Sequence, residues 1–268
     1  MNPGIYCGDC IEKLAELPDN SMQTAIADPP YNINFDYDGE YADNLPKDQY
    51  LNWSRTWMLA LLPKLKANGS LWLVISDEYV AELKVLAESI GFQLRSWCIW
   101  YFTFGVHCTT KFSRCHQHLL WFGVGSNKPA FYRENILVPS ARSARYGDKR
   151  AASGGRTPAD VWMLFPDQLP EQATSPDFDV WLMSRIAGTF HEREEGAANQ
   201  LPEALVGRMI LATTAEGDAV VDPFSGTGTT ATVAKKLRRN YFGFEQSQRI
   251  YDRSLLRLNN ATPGEPLA

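Results

Sequence analysis

The apolar residues of this chain come in short unbroken runs and in stripes spaced three and four apart, and the two patterns alternate. Ile5-Tyr6-Cys7-Gly8-Asp9 reads as a short strand ending in Gly-Asp. Residues 10–17 carry Ile11, Leu14, Ala15 and Leu17 at helical spacing, and Pro18-Asp19-Asn20 closes that helix. Thr24-Ala25-Ile26-Ala27 is a short apolar run, the mark of a buried strand. Strand, helix and strand in that order form the unit from which parallel sheets are built. Residues 32–44 are polar and rich in Asp and Tyr, and read as a surface loop.

The helical stripe returns in residues 47–65 with Tyr50, Leu51, Trp53, Ser54, Trp57, Met58, Leu61, Leu62 and Leu65, and Asn68-Gly69 is the predicted C-terminal cap. Residues 70–76 form a strongly apolar strand. Asp77 is predicted to cap a helix through Val80, Leu83, Leu86 and Ala87 to Ile90, which Gly91 stops. Residues 92–102 and 119–124 read as two further strands, paired as a hairpin across a connection at 105–116 too long for a tight turn.

From residue 125 to about 191 the periodicity fades, and six prolines interrupt the chain (Pro129, Pro139, Pro158, Pro166, Pro170, Pro176). Phe131, Tyr132, Trp162, Phe165 and Trp181 need burial or a ligand there, so the segment reads as an irregular insert, not a linker. Order resumes with a helix at 202–214, a strand at 219–224, a Gly-rich turn, a helix at 229–237, a strand at 241–245 and a helix at 248–258. The expectation is an α/β fold: one doubly wound, mostly parallel sheet with an antiparallel hairpin. Its halves fall in 1–124 and 192–260, the insert in 125–191, and a Pro/Gly tail at 261–268 is expected to fray.

Composition narrows the class. Hydrophobic residues at 44% and charged residues at 21% are ordinary for a soluble globular protein. The longest apolar runs, such as 71–75, are far too short to span a bilayer, so no membrane partner is expected. Five cysteines without framework spacing, and no signal-peptide pattern at the N-terminus, point to a reducing cytoplasm. A net charge of −5 argues weakly against nucleic acid, but the charges are unevenly placed. Arg142, Arg145, Lys149, Arg150 and Arg156 cluster against the single acid Asp148, a basic segment suited to phosphate contacts.

Two short stretches carry the candidate chemistry. Asp28-Pro29-Pro30-Tyr31 follows the buried run, and its two prolines forbid both helix and ladder pairing. A carboxylate, a carbonyl and an aromatic ring are thereby left on a stiff turn at the carboxyl end of a strand, where open α/β sheets bind ligands. The second stretch, Asp222-Pro223-Phe224-Ser225-Gly226-Thr227-Gly228-Thr229-Thr230, joins a strand to a helix, and its glycines allow close approach of backbone to ligand. It is neither a P-loop nor a dinucleotide fingerprint. Glu245 ends the next strand, where an acid can accept hydrogen bonds from ribose hydroxyls.

Together these residues resemble the amino-group DNA methyltransferases, in the class I methyltransferase-like group whose catalytic half precedes its cofactor half. The resemblance covers nearly the whole chain except the insert. It implies S-adenosylmethionine as cofactor and double-stranded DNA as substrate. Asp28, Pro29, Pro30 and Tyr31 would be catalytic: the carboxylate of Asp28 and the carbonyl of Pro29 would take the two hydrogens of a base amine, and Tyr31 would stack on a base flipped from the duplex. Asp9, Cys10, Asp28, Gln200, Pro202, Asp222, Phe224, Ser225, Gly226, Thr227, Gly228 and Glu245 would line the cofactor, with Leu201 and Glu203 near its methionine end.

Lys111, Arg114, His116 and His118 would face the substrate groove, and the insert with Arg142, Arg145, Lys149 and Arg150 would be the target-recognition region. The resemblance also implies adenine N6 over cytosine N4, since Asp at the first motif position is more often found in the adenine enzymes of the family and Ser in the cytosine ones. The strand ending in Glu245 lacks a successor, while an acid-ended strand stands at the N-terminus; a circular permutation accounts for both. Asp9 is also placed to cap the following helix. Cys7 and Cys10, or His107, Cys108, Cys115, His116 and His118, suggest a metal less well than packing, since zinc pairs come in matched sets. A homodimer and a cognate restriction endonuclease are partners the resemblance leaves open. Competing classes are an RNA or protein-amide methyltransferase and a non-catalytic DNA-binding relative.

Overall fold

The computed structural model describes residues 1–35, 41, 43–102, 108–138, 140, 155–162 and 200–267. Its strands form one eight-stranded sheet in the order β1-β8-β7-β2-β3-β5-β4-β6. They are β1 (Gly4–Cys7), β2 (Met22–Ala27), β3 (Leu65–Ile75), β4 (Phe92–Tyr101), β5 (His116–Val124), β6 (Val161–Trp162), β7 (Ala219–Asp222) and β8 (Asn240–Glu245). Among the described strands only β5 runs against its neighbours, and every other pairing is parallel. The first strand lies against the last, with Cys7 opposite Glu245.

Helices cover both faces, as buried parallel strands demand. On one face α1 (Cys10–Ala15), α2 (Lys47–Leu61) and α3 (Val80–Ser89) enclose Leu14, Trp57, Leu61, Leu73, Leu83 and Phe122. On the other, α4 (Glu203–Thr213) and α5 (Thr229–Lys236) enclose Ile26, Trp72, Leu205, Met209 and Val233. The last helix, α6 (Gln248–Asn260), packs Leu258 with Ile5 and Ala231 at the β1 edge. α2 buries Tyr50, Ser54, Trp57, Met58 and Leu61, a stripe with helical period. Every residue of β2 is buried, so its sequence need not alternate.

The β4–β5 hairpin forms as expected, with β5 beginning at His116 instead of residue 119. Several local expectations give way. α2 stops at Leu61, a 3₁₀ turn carries Pro63, and β3 begins at Leu65, so Asn68-Gly69 lies inside a strand and caps nothing. The ladder slips there between Met22 and Thr24, and a Cβ on Gly69 would meet the Lys66 carbonyl at 2.8 Å. Gly69 thus serves an irregular pairing, a use of strand glycine that imitates a helix stop in sequence. Asp77 caps no helix; Tyr79 holds that place without a side-chain bond, and Asp77 pairs with Arg114. The insert supplies β6 beside β4 and buries Trp162 in the core. The tail is docked, not frayed: the N–H of Gly264 donates to the Lys236 carbonyl at 2.7 Å, and Leu267 packs on the face of α4 and α5.

Candidate active site

Strand order decides which turns meet. β2 pairs β7 with Ala25 opposite Val221, and β7 pairs β8 with Asp222 opposite Gly243. All three strands run the same way, so the turn after β2, the turn after β7 and Glu245 emerge side by side at one edge of the sheet. Asp28 and Asp222 stand about two hundred residues apart along the chain and at the ends of adjacent strands in space.

The first turn is braced from behind. The hydroxyl of Tyr31 donates to Asp28 Oδ1 at 2.5 Å, and the hydroxyl of Tyr50, from α2, donates to the Pro30 carbonyl at 2.8 Å. No described residue donates to the Pro29 carbonyl. Beyond the turn, Asn32 takes a left-handed conformation (φ +56°), one that Asn tolerates well. Buried Asp43 then receives the backbone N–H groups of Asn32, Ile33 and Phe35 at 2.7, 3.0 and 2.9 Å. The Asn32 amide donates to the Leu45 carbonyl and the Tyr79 hydroxyl. Tyr31 is only 6% exposed and its ring belongs to the core, so stacking on a base requires that ring to be uncovered.

The second turn is shaped from glycine and leaves polar groups unused. Gly226 and Gly228 hold φ of +50° and +79°, and a Cβ on Gly228 would press on Ile5 and Ser254 at 3.0 and 3.1 Å. At Gly226 a Cβ would find no atom closer than 4.0 Å, so that side of the turn is open. Ser225 Oγ is buried without a hydrogen-bond partner. Phe224 is wedged between Trp53 and Trp57 of α2, with ring centroids 5.6 and 5.2 Å away, which ties the two turns through one helix. Glu245 links the site's floor: Oε2 accepts from the Gly226 N–H and Oε1 from the Ser247 N–H, both at 2.9 Å. Thr227 is half-buried in the same turn.

The electrostatics are those of crowded acids. Loss of solvent pushes Asp28 up to about 7, with Asp222 adding repulsion and the Tyr31 hydrogen bond opposing. Burial raises Asp222 to about 6 against the bonds from Thr230 and the Phe224 N–H, and Glu245 pushes it the same way. Both acids therefore hold a proton more tightly than an exposed carboxylate.

Other candidates fall into place differently. Asp9 caps α1, its Oδ1 accepting from Ile11 and Glu12, and the N–H of Gly8 before it donates to the Glu245 carbonyl at 2.9 Å, which sets Asp9 beside the site. Cys10 is buried, and burial followed by the Asp9 charge pushes its thiol up to about 12, as befits a packed side chain. Gln200, Leu201 and Pro202 are buried ahead of α4. Glu203 pairs with Lys236 and Arg257 at 3.0 Å each, and Arg257 also reaches Thr229 Oγ1 at 2.8 Å. That buried network holds the helix following the glycine turn. Among the described residues no group of three or more His, Cys, Asp or Glu is arranged for a metal.

The expected substrate-facing side chains divide. Lys111 is exposed beside the fully exposed Phe112. Arg114 is engaged by Asp77 and Glu78, so its charge is already partly answered. His118 is buried, accepts from Trp97 Nε1 at 3.0 Å, and is pushed below its ordinary pKa by burial and then by His116, all of which disfavour the charged form that a phosphate contact would use. His116 is half-buried with its ring 4.9 Å from that of His118. Arg142, Arg145, Lys149, Arg150 and His107 lie outside the described residues. Tyr50, Asp43, Trp53 and Trp57 escaped the sequence reading as site residues; the first, third and fourth are visible there only as a helical stripe.

A family model described as DNA methylase, of the N6/N4 type, matches residues 22–255. The type II methyltransferase M.HpaI of Haemophilus parainfluenzae is 30% identical over 265 residues, covering 98% of this chain and 76% of that protein. The cytosine-N4-specific PvuII DNA methyltransferase shares the fold with a TM-score of 0.69 at 18% identity, covering 97% of this chain and 88% of the other. M1.HpyAVI, solved in complex with S-adenosylmethionine, gives a TM-score of 0.63 at 19% identity over 95% and 98% of the two chains.

Proposed function

The chain belongs to the N6/N4 DNA methylase family, and from that premise we propose that it moves a methyl group from S-adenosylmethionine to adenine N6 of a base flipped out of duplex DNA. The observation that carries the reading is the meeting of the Asp28 turn and the glycine turn at the ends of adjacent strands. The residues present fit the cofactor. Gly226 leaves an open side, Ser225 Oγ is a buried polar group awaiting a partner, and the nearby carboxylates suit a sulfonium cation. When bound, the cofactor supplies the electrophilic methyl. Glu245 would hold its ribose hydroxyls; the carboxylate has acceptor capacity beyond the two backbone bonds it already takes. M1.HpyAVI, of the same fold, binds this cofactor, which supports the assignment.

The protein's part in the chemistry is to prepare a poor nucleophile. An exocyclic amine shares its lone pair with the ring. Asp28 and the Pro29 carbonyl would accept its two hydrogens, turn the lone pair out of conjugation and stabilise the positive charge that develops on nitrogen. Tyr31 and Tyr50 keep the two acceptors in place by bonding Asp28 and the adjacent Pro30 carbonyl. The β1–β8 pairing supports a circularly permuted order in which the N-terminal strand completes the cofactor half. Lys111 and the basic segment 142–150 would meet the DNA backbone, and a cognate endonuclease is a natural partner for a relative of a type II methyltransferase.

Labelled cofactor offered with DNA, RNA and protein separately tests the substrate class: label in DNA alone supports the reading, and label only in RNA or protein refutes it. Single-base mapping of the modified positions then separates N6-methyladenine from N4-methylcytosine, the modification made by the PvuII enzyme that shares this fold.

A further inference from the structure

Asp28 and Asp222 emerge from the ends of adjacent parallel strands, and Asp222 is 6% exposed. Among the described residues the groups that face them are few. Asp28 meets the Tyr31 hydroxyl on its own turn and Asp222 on β7; Asp222 meets the Thr230 hydroxyl on α5, the Phe224 N–H and, from β8, Glu245. Neither aspartate forms an ion pair with any described Lys or Arg. Two neighbouring carboxylates bonded only to neutral donors cannot both be ionised cheaply. Among the described residues no cation answers the pair. The adjoining turn, with its open glycine and its unpartnered buried hydroxyl, is where a ligand would bring one.

Building on the methyltransferase reading, we propose that the Asp28–Asp222 pair distinguishes the sulfonium cofactor from its thioether product by charge: the pair gives up a proton when the sulfonium docks and regains one when the neutral sulfur is left behind. The cofactor and S-adenosylhomocysteine differ at this place by one positive charge and one methyl. A sulfonium beside the pair favours the ionised acids, so part of its binding energy goes into expelling a proton. The raised proton affinity of both acids in the free protein is the condition for this exchange. Methyl transfer then closes the cycle. The carbon–sulfur bond breaks with its electron pair retained by sulfur, a nitrogen–carbon bond forms, and the nitrogen sheds one proton. As the positive charge leaves sulfur, Asp28 becomes again the stronger proton acceptor and takes it. One carboxylate is thus ionised when it must orient the amine and basic when the proton must leave.

Isothermal titration calorimetry of the whole protein tests this without turnover. S-adenosylmethionine and S-adenosylhomocysteine are each titrated at about pH 6.5 in buffers of contrasting ionisation enthalpy, and the protons released per bound ligand are read from the difference. The expected result is a release larger by roughly half a proton or more for S-adenosylmethionine. Its affinity relative to the product should also rise severalfold as pH is raised from about 6 to about 7. Asp222→Asn and Asp28→Asn should each shrink the excess, and either variant alone suffices if the other fails to fold. Equal proton release for the two ligands in the unmodified protein would overturn the inference while leaving the methyltransferase reading intact. Failure of both ligands to bind would overturn that reading itself.

Discussion

The two turns of the site are built on opposite plans. The Asp28 turn is stiff by covalent necessity and braced by side chains: two prolines, the Tyr31–Asp28 bond, the Tyr50–Pro30 bond and the Asp43 clamp on the residues just beyond. The glycine turn has no such bracing on its open side. It relies on left-handed glycines, leaves Ser225 Oγ without a partner and exposes room at Gly226. A group that must steer an amine in a transition state gains from being fixed beforehand, because no reorganisation is then needed as charge develops. A group that must admit and release a ligand on each turnover gains from unmet polar capacity that the ligand satisfies. α2 joins the two plans, since Tyr50 supports one turn while Trp53 and Trp57 flank Phe224 of the other.

The comparison is broken most severely at Asp28. Asp28→Ala should lower methyl transfer by about 100-fold or more while cofactor binding stays measurable, because the lost acceptor acts where charge develops. Turnover together with equilibrium binding checks it, and equal loss of both would erase the distinction between the turns. Next is Trp57→Ala, which removes a fully buried ring against Phe224 and should cost about 3–5 kcal/mol in chemical denaturation.

Asp222→Asn sharpens the electrostatic side of the contrast, by about 1–3 kcal/mol. The folded-state pKa of Asp222 lies near 6, above its ordinary value, so the folded protein binds more protons between about pH 4 and 6 and loses stability as pH rises through that window. The Asn variant should lack that loss and be the more stable protein above about pH 6, as denaturation at a series of pH values would read. Smallest is Tyr50→Phe: freeing the Pro30 carbonyl should cost about 1 kcal/mol of transition-state stabilisation, a several-fold fall in kcat with unchanged cofactor affinity.

The legible parts of the sequence were those where local chemistry narrows the options. Asp28-Pro29-Pro30-Tyr31 after an apolar run reads as a strand-end turn, and Gly226-x-Gly228, a weak signal by itself, as a tight turn between a strand and a helix; both turns are present. The αβ alternation gave the sheet, and Glu245 fell at its strand end. What the sequence hid were long-range partnerships. Asp43 lies in a polar loop with nothing in its spacing to tie it to Asn32. Arg114 carries the charge of a DNA contact, but Asp77 and Glu78, from the end of another strand, engage it. His118 looked like a groove residue and is buried against Trp97 because β5 begins three residues earlier than its apolar run. Asn68-Gly69 has the composition of a helix stop and the position of a strand irregularity, a choice that only the partner strand makes. The tail reads as loose by composition, and Leu267 finds a seat on Gly207, where even a methyl group would collide with it.

A structure determined with S-adenosylhomocysteine bound tests the central claim most directly. The account predicts the thioether sulfur lodged between the Asp28 turn and the Gly226–Gly228 turn, with the ribose at Glu245. A ligand seated elsewhere, or touching one of these turns without the other, would contradict it.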